Sequence, residues 1–322
     1  MVNRVCDVLV IGAGVSGLTT AVCLAEAGLD VVIRAECPPQ QTTSAAAGAL
    51  WGPHLVEVGG RVTAWSLRTL AELSRLAGEP AAGVAVVSGV EASRGPAVPP
   101  GWASTLGGFR LCADGELPAG YVTGWRFASP LADMPVYLGY LLRRFTAAGG
   151  TIEAGVVRSL DEIAGTAAAV VNCTGVGARD LVPDPLVTAA RGQVVVVPNP
   201  GIAEFFVASD SPAELVYFFP HGGTVVLGGT EEHGNWDMRP DPATARGILD
   251  RCGSVEPRLR GAEVLAHRVG LRPVRPNVRA DAQRAAGGTL VCHNYGHGGA
   301  GITLSWGCAR DIADMIISGS VA

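Results

Sequence analysis

The run Val5-Cys6-Asp7-Val8-Leu9-Val10-Ile11-Gly12-Ala13-Gly14-Val15-Ser16-Gly17-Leu18 decides how this chain folds. Val5 to Ile11 is short, apolar and β-branched and ends at a glycine, the pattern of a buried parallel strand. Gly12, Gly14 and Gly17 then form G-x-G-x-x-G, and Leu18 to Ala27 reads as a helix closed by Gly28. A second apolar strand, Val31 to Ala35, ends in Glu36. Each part has a physical task. Gly12 makes the turn, Gly14 lets backbone approach a pyrophosphate, and Gly17 lets helix and strand pack closely. Free N–H groups at the helix start attract the pyrophosphate, with Ala13, Val15 and Ser16 in the same turn. Glu36 can accept hydrogen bonds from both hydroxyls of a ribose. The order strand, glycines, helix, strand, acid predicts a dinucleotide-binding unit. It does not separate FAD from NAD.

The next stretch tilts the balance. Thr42-Thr43-Ser44-Ala45-Ala46-Ala47-Gly48-Ala49-Leu50-Trp51 is too small and too hydroxylated for ordinary core. Small residues such as Ala47, Gly48 and Ala49 let backbone lie flat against a ring system. The Thr42, Thr43 and Ser44 hydroxyls can hold phosphate and ribitol oxygens.

Composition sets the outer bounds. A chain of 322 residues can bury a sizeable core and is expected to hold two domains. A net charge of -5 argues against a nucleic-acid partner, whose domain would carry a basic stripe. All 24 basic residues are arginine, which excludes Schiff-base chemistry on a lysine. The eight cysteines form no C-x-x-C pair, and several lie in apolar runs, so reduced core thiols in a cytoplasmic protein are expected and no metal site is. No apolar run reaches the length of a membrane span, and the first one leads straight into the glycine motif rather than reading as a signal peptide.

Further along, Trp65 to Leu76 and Pro135 to Ala148 show helical spacing, and Ala167 to Asn172 is a continuous apolar strand running into Cys173-Thr174-Gly175. A strand ending in Thr-Gly is common under the adenosine half of FAD. Gly78 to Pro130, rich in Gly and Pro, predicts a meander of short strands. Strands are expected at Val194 to Val197, Tyr217 to Pro220 and Val225 to Leu227. The predicted fold is α/β: a Rossmann-like nucleotide domain (1–55, 150–192 and 262–322) interleaved with an α+β substrate domain on an antiparallel sheet (56–149 and 193–261).

Taken together, several motifs resemble the D-amino-acid oxidase family, which includes the D-aspartate oxidases. They are Ile11 to Leu18, Val171-Asn172-Cys173-Thr174-Gly175-Val176-Gly177-Ala178, Arg191-Gly192-Gln193, Tyr217-Phe218-Phe219-Pro220 and Leu227-Gly228-Gly229-Thr230. Gly234-Asn235-Trp236 follows. The most specific are Val269-Gly270-Leu271-Arg272-Pro273-Val274-Arg275-Pro276 and His293-Asn294-Tyr295-Gly296-His297-Gly298-Gly299-Ala300-Gly301. The motifs keep family order over essentially the whole chain.

The resemblance implies non-covalent FAD and oxidative deamination of a D-amino acid by hydride transfer, giving a 2-oxo acid, ammonia and hydrogen peroxide from O2. It puts the substrate carboxylate on Arg272, whose planar fork matches a carboxylate, and on the Tyr217 hydroxyl. It puts the amine on the Gly299 carbonyl. For the cofactor it implies Val157, Thr174, Gly175, His293, Gly296, Gly298, Gly299, Gly301 and Ile302, with Thr303 on the flavin O2 carbonyl. Ile302 to Ile317 reads as a helix whose N-terminus would favour negative charge on the flavin. His293 and His297 are read as structural or flavin-contacting rather than as bases.

The chain also departs from the family. The segment Phe206 to Val216 is short and has no tyrosine, so the usual lid is expected to be missing. No arginine lies between Gln193 and Arg239, which disfavours acidic substrates and leaves neutral D-amino acids. His54 stands where several relatives carry an aromatic and, facing the pocket, would favour polar side chains. A homodimer is compatible with this reading. The alternatives are a glycine or sarcosine-type amine oxidase and a non-catalytic FAD-binding protein.

Overall fold

The computed structural model describes residues 6–57, 59–208, 210, 215–285 and 288–319. In chain order, the first strands are β1 (Cys6–Ile11), β2 (Val31–Ala35), β3 (Val84–Ser93), β4 (Arg110–Leu111) and β5 (Thr123–Ala132). There follow β6 (Thr151–Ala154), β7 (Ala167–Asn172), β8 (Thr188–Pro198), β9 (Phe205–Ala208) and β10 (Val216–His221). The last are β11 (Thr224–Gly228), β12 (Glu232–His233), β13 (Ala266–Val274), β14 (Arg279–Arg284) and β15 (Leu290–Tyr295). The helices are α1 (Val15–Glu26), α2 (Gly60–Leu76), α3 (Met134–Ala147), α4 (Ala178–Leu181), α5 (Pro242–Val255) and α6 (Gly301–Ser318).

These elements make two sheets among the described residues. The first runs β14-β15-β7-β1-β2-β6, with β1 parallel to both β2 and β7. Such strands are covered on both faces, which is why Val8 to Ile11 is continuously apolar rather than alternating. Val8, Val10, Ile33 and Val171 face α1, α3 and α6, whereas Leu9, Ile11, Val32 and Val170 face the other way in a separate cluster. The second sheet runs β12-β8-β11-β10-β9-β3-β5-β4, with β13 paired to β8. The core of the first sheet continues through α2 to Trp125 and Phe127 of the second, so the two layers share packed interior.

The glycine turn forms as the sequence predicts. Gly12 has φ 106°, a region open to glycine, and a Cβ there would lie 2.6 Å from the Cys173 carbonyl oxygen. A Cβ on Gly17 would lie 2.0 Å from the Gly12 oxygen, so α1 packs onto its own turn at a separation that glycine alone permits. Val5, the predicted start of β1, falls outside the described residues.

Several expectations need correction. The region expected to be an antiparallel meander of short strands is antiparallel, but only β4 is short: β3 and β5 are ten residues each and paired along their full length. The glycines and prolines cluster in the connection between them. Helix α5 was not foreseen, although Asp241 accepts from the Ala243 and Thr244 N–H groups and Pro242 opens the helix, a readable start signal. The strand carrying Arg272, β13, pairs with β8 in the antiparallel sheet, although residues 262–322 read as nucleotide domain. Helix α3, read as part of the substrate domain, packs on α1. Apolar patterning reveals a strand but not the sheet it joins.

Candidate functional site

One elongated cavity of about 840 Å³ opens along the ends of the first sheet and continues under the face of the second. That is toward the upper end of the range for small-molecule sites. One end is lined by Arg34, Glu36, Val157, Thr174, Gly175 and Asp180. Its middle runs along Gly12, Ala13, Gly14, Val15 and Ser16 at the start of α1 and along the loop from Thr42 to Leu50. The far end holds His54, Glu91, Tyr217, Arg272 and Gly299, with Gly298, Gly301 and Ile302 beside them.

The hydroxyl-rich loop has a double task. Ser44 Oγ accepts the Val15 N–H at 3.0 Å, capping α1 from 29 residues away. Thr43 Oγ1 accepts the Leu271 N–H at 3.2 Å and so ties the loop to the residue before Arg272. Thr42 donates to the Pro39 carbonyl at 2.7 Å. Each of Thr43 and Ser44 keeps its own hydroxyl proton for a partner in the cavity. The opposite side of the loop rests on an aromatic pair: Tyr217 and Phe219 stack with centroids 4.8 Å apart, and a Cβ on Gly48 would lie 2.5 Å from the Phe219 ring.

Arg272 is the residue on which the far end turns. Its Nη1 donates to the Thr230 carbonyl at 3.0 Å, and its guanidinium lies across Gly192, where a Cβ would come within 2.5 Å of Nη1. No carboxylate of the described residues pairs with it. The other arginine of the motif and a nearby one are committed: Arg275 pairs with Asp184 at 3.0 Å, and Arg279 with Asp281 at 3.2 Å. Burial raises the Tyr217 phenol above its ordinary value, while the charge and hydrogen bond of the Arg272 guanidinium pull it back. Arg272 and Tyr217 therefore present adjacent donors to the cavity, a match for a carboxylate.

The remaining predicted residues divide. His54 lines the cavity, and its Nε2 pairs with Glu231 at 3.2 Å. That pair and the hydrogen bond from His233 hold the largely buried Glu231 carboxyl down at about 2. The Gly299 N–H donates to the His54 carbonyl at 3.1 Å, while the Gly299 carbonyl takes no hydrogen bond from the described residues. His297 lines the cavity and pairs with Asn294 at 3.0 Å; burial lowers it to about 4, so it is neutral at pH 7. Gly17, His293, Gly296 and Thr303 stand behind the wall instead. Gly17 packs α1 on its turn, and Gly296 packs on the Arg275 side chain. His293 is fully buried, lowered by burial to about 4, with neither ring nitrogen hydrogen-bonded. The Thr303 hydroxyl donates to the Gly52 carbonyl at 2.9 Å and accepts its N–H at 3.1 Å.

Sequence reasoning missed Arg34, Asp180, Glu91 and Glu231. Arg34 sits two residues before Glu36 on β2, a legible position. Nothing local marks the other three: Asp180 and Glu91 reach the cavity through long-range packing, and Glu231 meets the site through its pair with His54. Within Phe206 to Val216, Val207 and Leu215 line the cavity, whereas Ser209 and residues 211–214 lie outside the described residues. All eight cysteines are free, and burial pushes the Cys173, Cys252 and Cys292 thiols up to about 12, so none is an activated nucleophile. Among the described residues no group of His, Cys, Asp or Glu could hold a metal, and no helix is long and apolar enough to cross a membrane.

The cavity fits a dinucleotide by its shape and by the free donors at the start of α1. The family model described as "FAD dependent oxidoreductase" matches residues 7–315. The chain belongs to this FAD-dependent oxidoreductase family. It is 49% identical to a D-amino-acid oxidase of Rubrobacter xylanophilus over 95% of this chain and 94% of that one. It is 46% identical to a D-amino-acid oxidase of Streptomyces coelicolor over 96% of each. Among solved structures, a glycine oxidase from Geobacillus kaustophilus superposes with a TM-score of 0.84 at 20% identity, over 99% of this chain and 96% of that one, a likeness of fold. The cofactor is therefore FAD. Glu36, Val157, Thr174 and Gly175 face the cavity at the end expected for adenosine, and the start of α1 faces its middle, where a pyrophosphate would lie.

Proposed function

We propose that this enzyme is a D-amino-acid oxidase that prefers neutral side chains and disfavours acidic ones. The observation that carries the reading is the Arg272 guanidinium, which pairs with no carboxylate of the described residues and lies beside the Tyr217 hydroxyl, in the same cavity as the dinucleotide cradle. The names of the two bacterial relatives support the D-amino-acid assignment.

Arg272 offers a planar fork to the α-carboxylate, and Tyr217 offers a hydroxyl proton to the same group. Because Gly192 has no side chain, the fork lies flat and its position is fixed before substrate arrives. The Gly299 carbonyl accepts a hydrogen bond from the α-amine, which orients Cα between two anchored substituents. Trp102, Phe127 and Val207 line the same end and limit water there. When bound, FAD would supply the two-electron acceptor, with dioxygen as the final oxidant. In sum, the amino acid, water and O2 become a 2-oxo acid, ammonia and hydrogen peroxide. The two hydrogens lost from Cα and nitrogen leave in the peroxide.

The free thiols accord with a cytoplasmic enzyme, and a homodimer is part of the same reading, to be checked by light scattering. A panel of D- and L-amino acids with peroxide detection tests the assignment. Oxidation of D-alanine or D-valine, with D-aspartate and D-glutamate poor, is expected. A preference for glycine or N-methylglycine would replace it with the amine-oxidase alternative. A yellow protein that oxidises none of them would be a non-catalytic flavoprotein.

A further inference from the structure

One carboxylate of the substrate end has no part in the arrangement above. Glu91 lies on β3 opposite Val207 of β9, and Val207 lies opposite Tyr217 of β10. Residues directly opposite across neighbouring strands project from the same face of a sheet. Glu91, Val207 and Tyr217 thus form a row, and all three line the cavity. With strands roughly 4.8 Å apart, the two ends of the row are about 10 Å apart.

The surroundings of Glu91 are apolar: Trp102, Phe127 and Val207 share its end of the cavity. Its hydrogen-bond partner among the described residues is the Trp125 indole, whose Nε1 donates to Oε2 at 3.2 Å. No cation of the described residues pairs with it. Burial pushes its carboxyl up to about 7, against the smaller opposing effect of the Trp125 hydrogen bond. A leucine would pack here without that cost, so a purely structural role is poorly served. The carboxylate has about four acceptor positions and the indole takes one.

We propose that Glu91 is the specificity residue of the side-chain pocket and pairs with a cationic end group on the substrate. The inference rests on the D-amino-acid reading and carries it beyond neutral side chains. In an extended D-arginine, six bonds separate the carboxylate carbon from the guanidinium carbon, roughly 7–8 Å. A hydrogen bond of roughly 3 Å at one end completes the reach from Tyr217 to Glu91. D-lysine reaches almost as far. The same carboxylate repels D-aspartate and D-glutamate and adds to the lack of arginine between Gln193 and Arg239.

The test compares D-arginine and D-lysine with D-norleucine, an uncharged chain of similar reach, in the holoenzyme and in Glu91→Leu and Glu91→Gln. The ratio of kcat/KM for D-arginine over D-norleucine should fall at least tenfold in Glu91→Leu, chiefly through KM, with D-norleucine unchanged or improved. Glu91→Gln should fall between. A binding measurement accompanies it: the Kd of 5-guanidinopentanoate relative to hexanoate, read from the perturbed flavin spectrum, should rise in parallel. Ratios within twofold of the parent in both variants, with FAD content intact, would overturn the role of Glu91. Failure of the parent enzyme to oxidise D-norleucine, D-alanine and D-arginine alike would overturn the reading beneath it.

Discussion

The Arg272 guanidinium lies across Gly192 so closely that a single added methyl group would meet it 2.5 Å from Nη1. The two residues are not in direct register. Gly192 of β8 pairs with Gly270 of β13, and Arg272 pairs with Ala190, so the side chain reaches diagonally over the neighbouring strand. That path is open because Gly192 leaves it open.

Gly192→Ala should therefore displace the guanidinium without touching the cofactor. Overpacking of this kind typically costs about 1–3 kcal/mol, or roughly one to two decades in kcat/KM. FAD content should stay at the parent level. The check is a kinetic comparison on D-alanine with the flavin-to-protein absorbance ratio measured alongside.

Cofactor retention should depend on Glu36 and not on a covalent bond. Acid precipitation is expected to release all the yellow colour into the supernatant, since Cys308 is fully buried in α6. Glu36→Ala should raise the Kd for FAD by roughly tenfold or more, the scale of a lost charge-assisted hydrogen bond. Titration of the apoprotein with FAD, followed by flavin fluorescence, measures it.

Acid stability should track the two buried histidines. His293 and His297 are lowered by burial to about 4, whereas an unfolded histidine titrates near 6.5. Between those values the unfolded chain binds protons that the folded chain does not, so stability falls as pH drops from about 6.5 toward 4. Thermal melts of the holoenzyme in excess FAD should show a falling Tm across that window. The slope should be shallower in His293→Phe, which keeps an aromatic ring against Tyr295 and removes one titrating group.

Ser44→Ala should weaken the start of α1. The Val15 N–H would lose its acceptor, a capping loss of roughly 1 kcal/mol. A lower Tm together with weaker FAD binding is expected, because the same turn faces the middle of the cavity.

The first sixty residues were the most legible part of the chain because their physics is local. Strand β1, the turn at Gly12 and strand β2 follow from a short apolar run, a glycine spacing and a second run, with no distant partner needed. The far end was legible only through motif resemblance. Arg272 and Arg275 look alike in sequence, and what separates them is Asp184, which pairs with Arg275 from far along the chain. Glu91 gave no signal for the same reason. It falls in the Gly- and Pro-rich stretch Gly78 to Pro130, where the pattern predicts only short strands, and its place in the cavity depends on β9 lying beside β3 and β10 beyond it. The sequence of the loop from Thr42 to Ser44 suggests hydroxyls for a ligand, and in the structure two of them, on Thr43 and Ser44, also accept protein backbone N–H groups. Local pattern cannot say which partner a hydroxyl will choose.

The measurement that tests the account most directly is kcat/KM of Arg272→Ala on D-alanine, with benzoate affinity determined on the same preparations. If the guanidinium holds the substrate carboxylate, its loss should cost about 3–5 kcal/mol, or roughly two to four decades in kcat/KM, with benzoate weakened in parallel. Arg272→Lys should recover part of this, since an ammonium lacks the planar fork. FAD content should hold, because the cradle lies on other residues. Near-parental kcat/KM and benzoate binding in Arg272→Ala would contradict the account and move the carboxylate site away from Arg272.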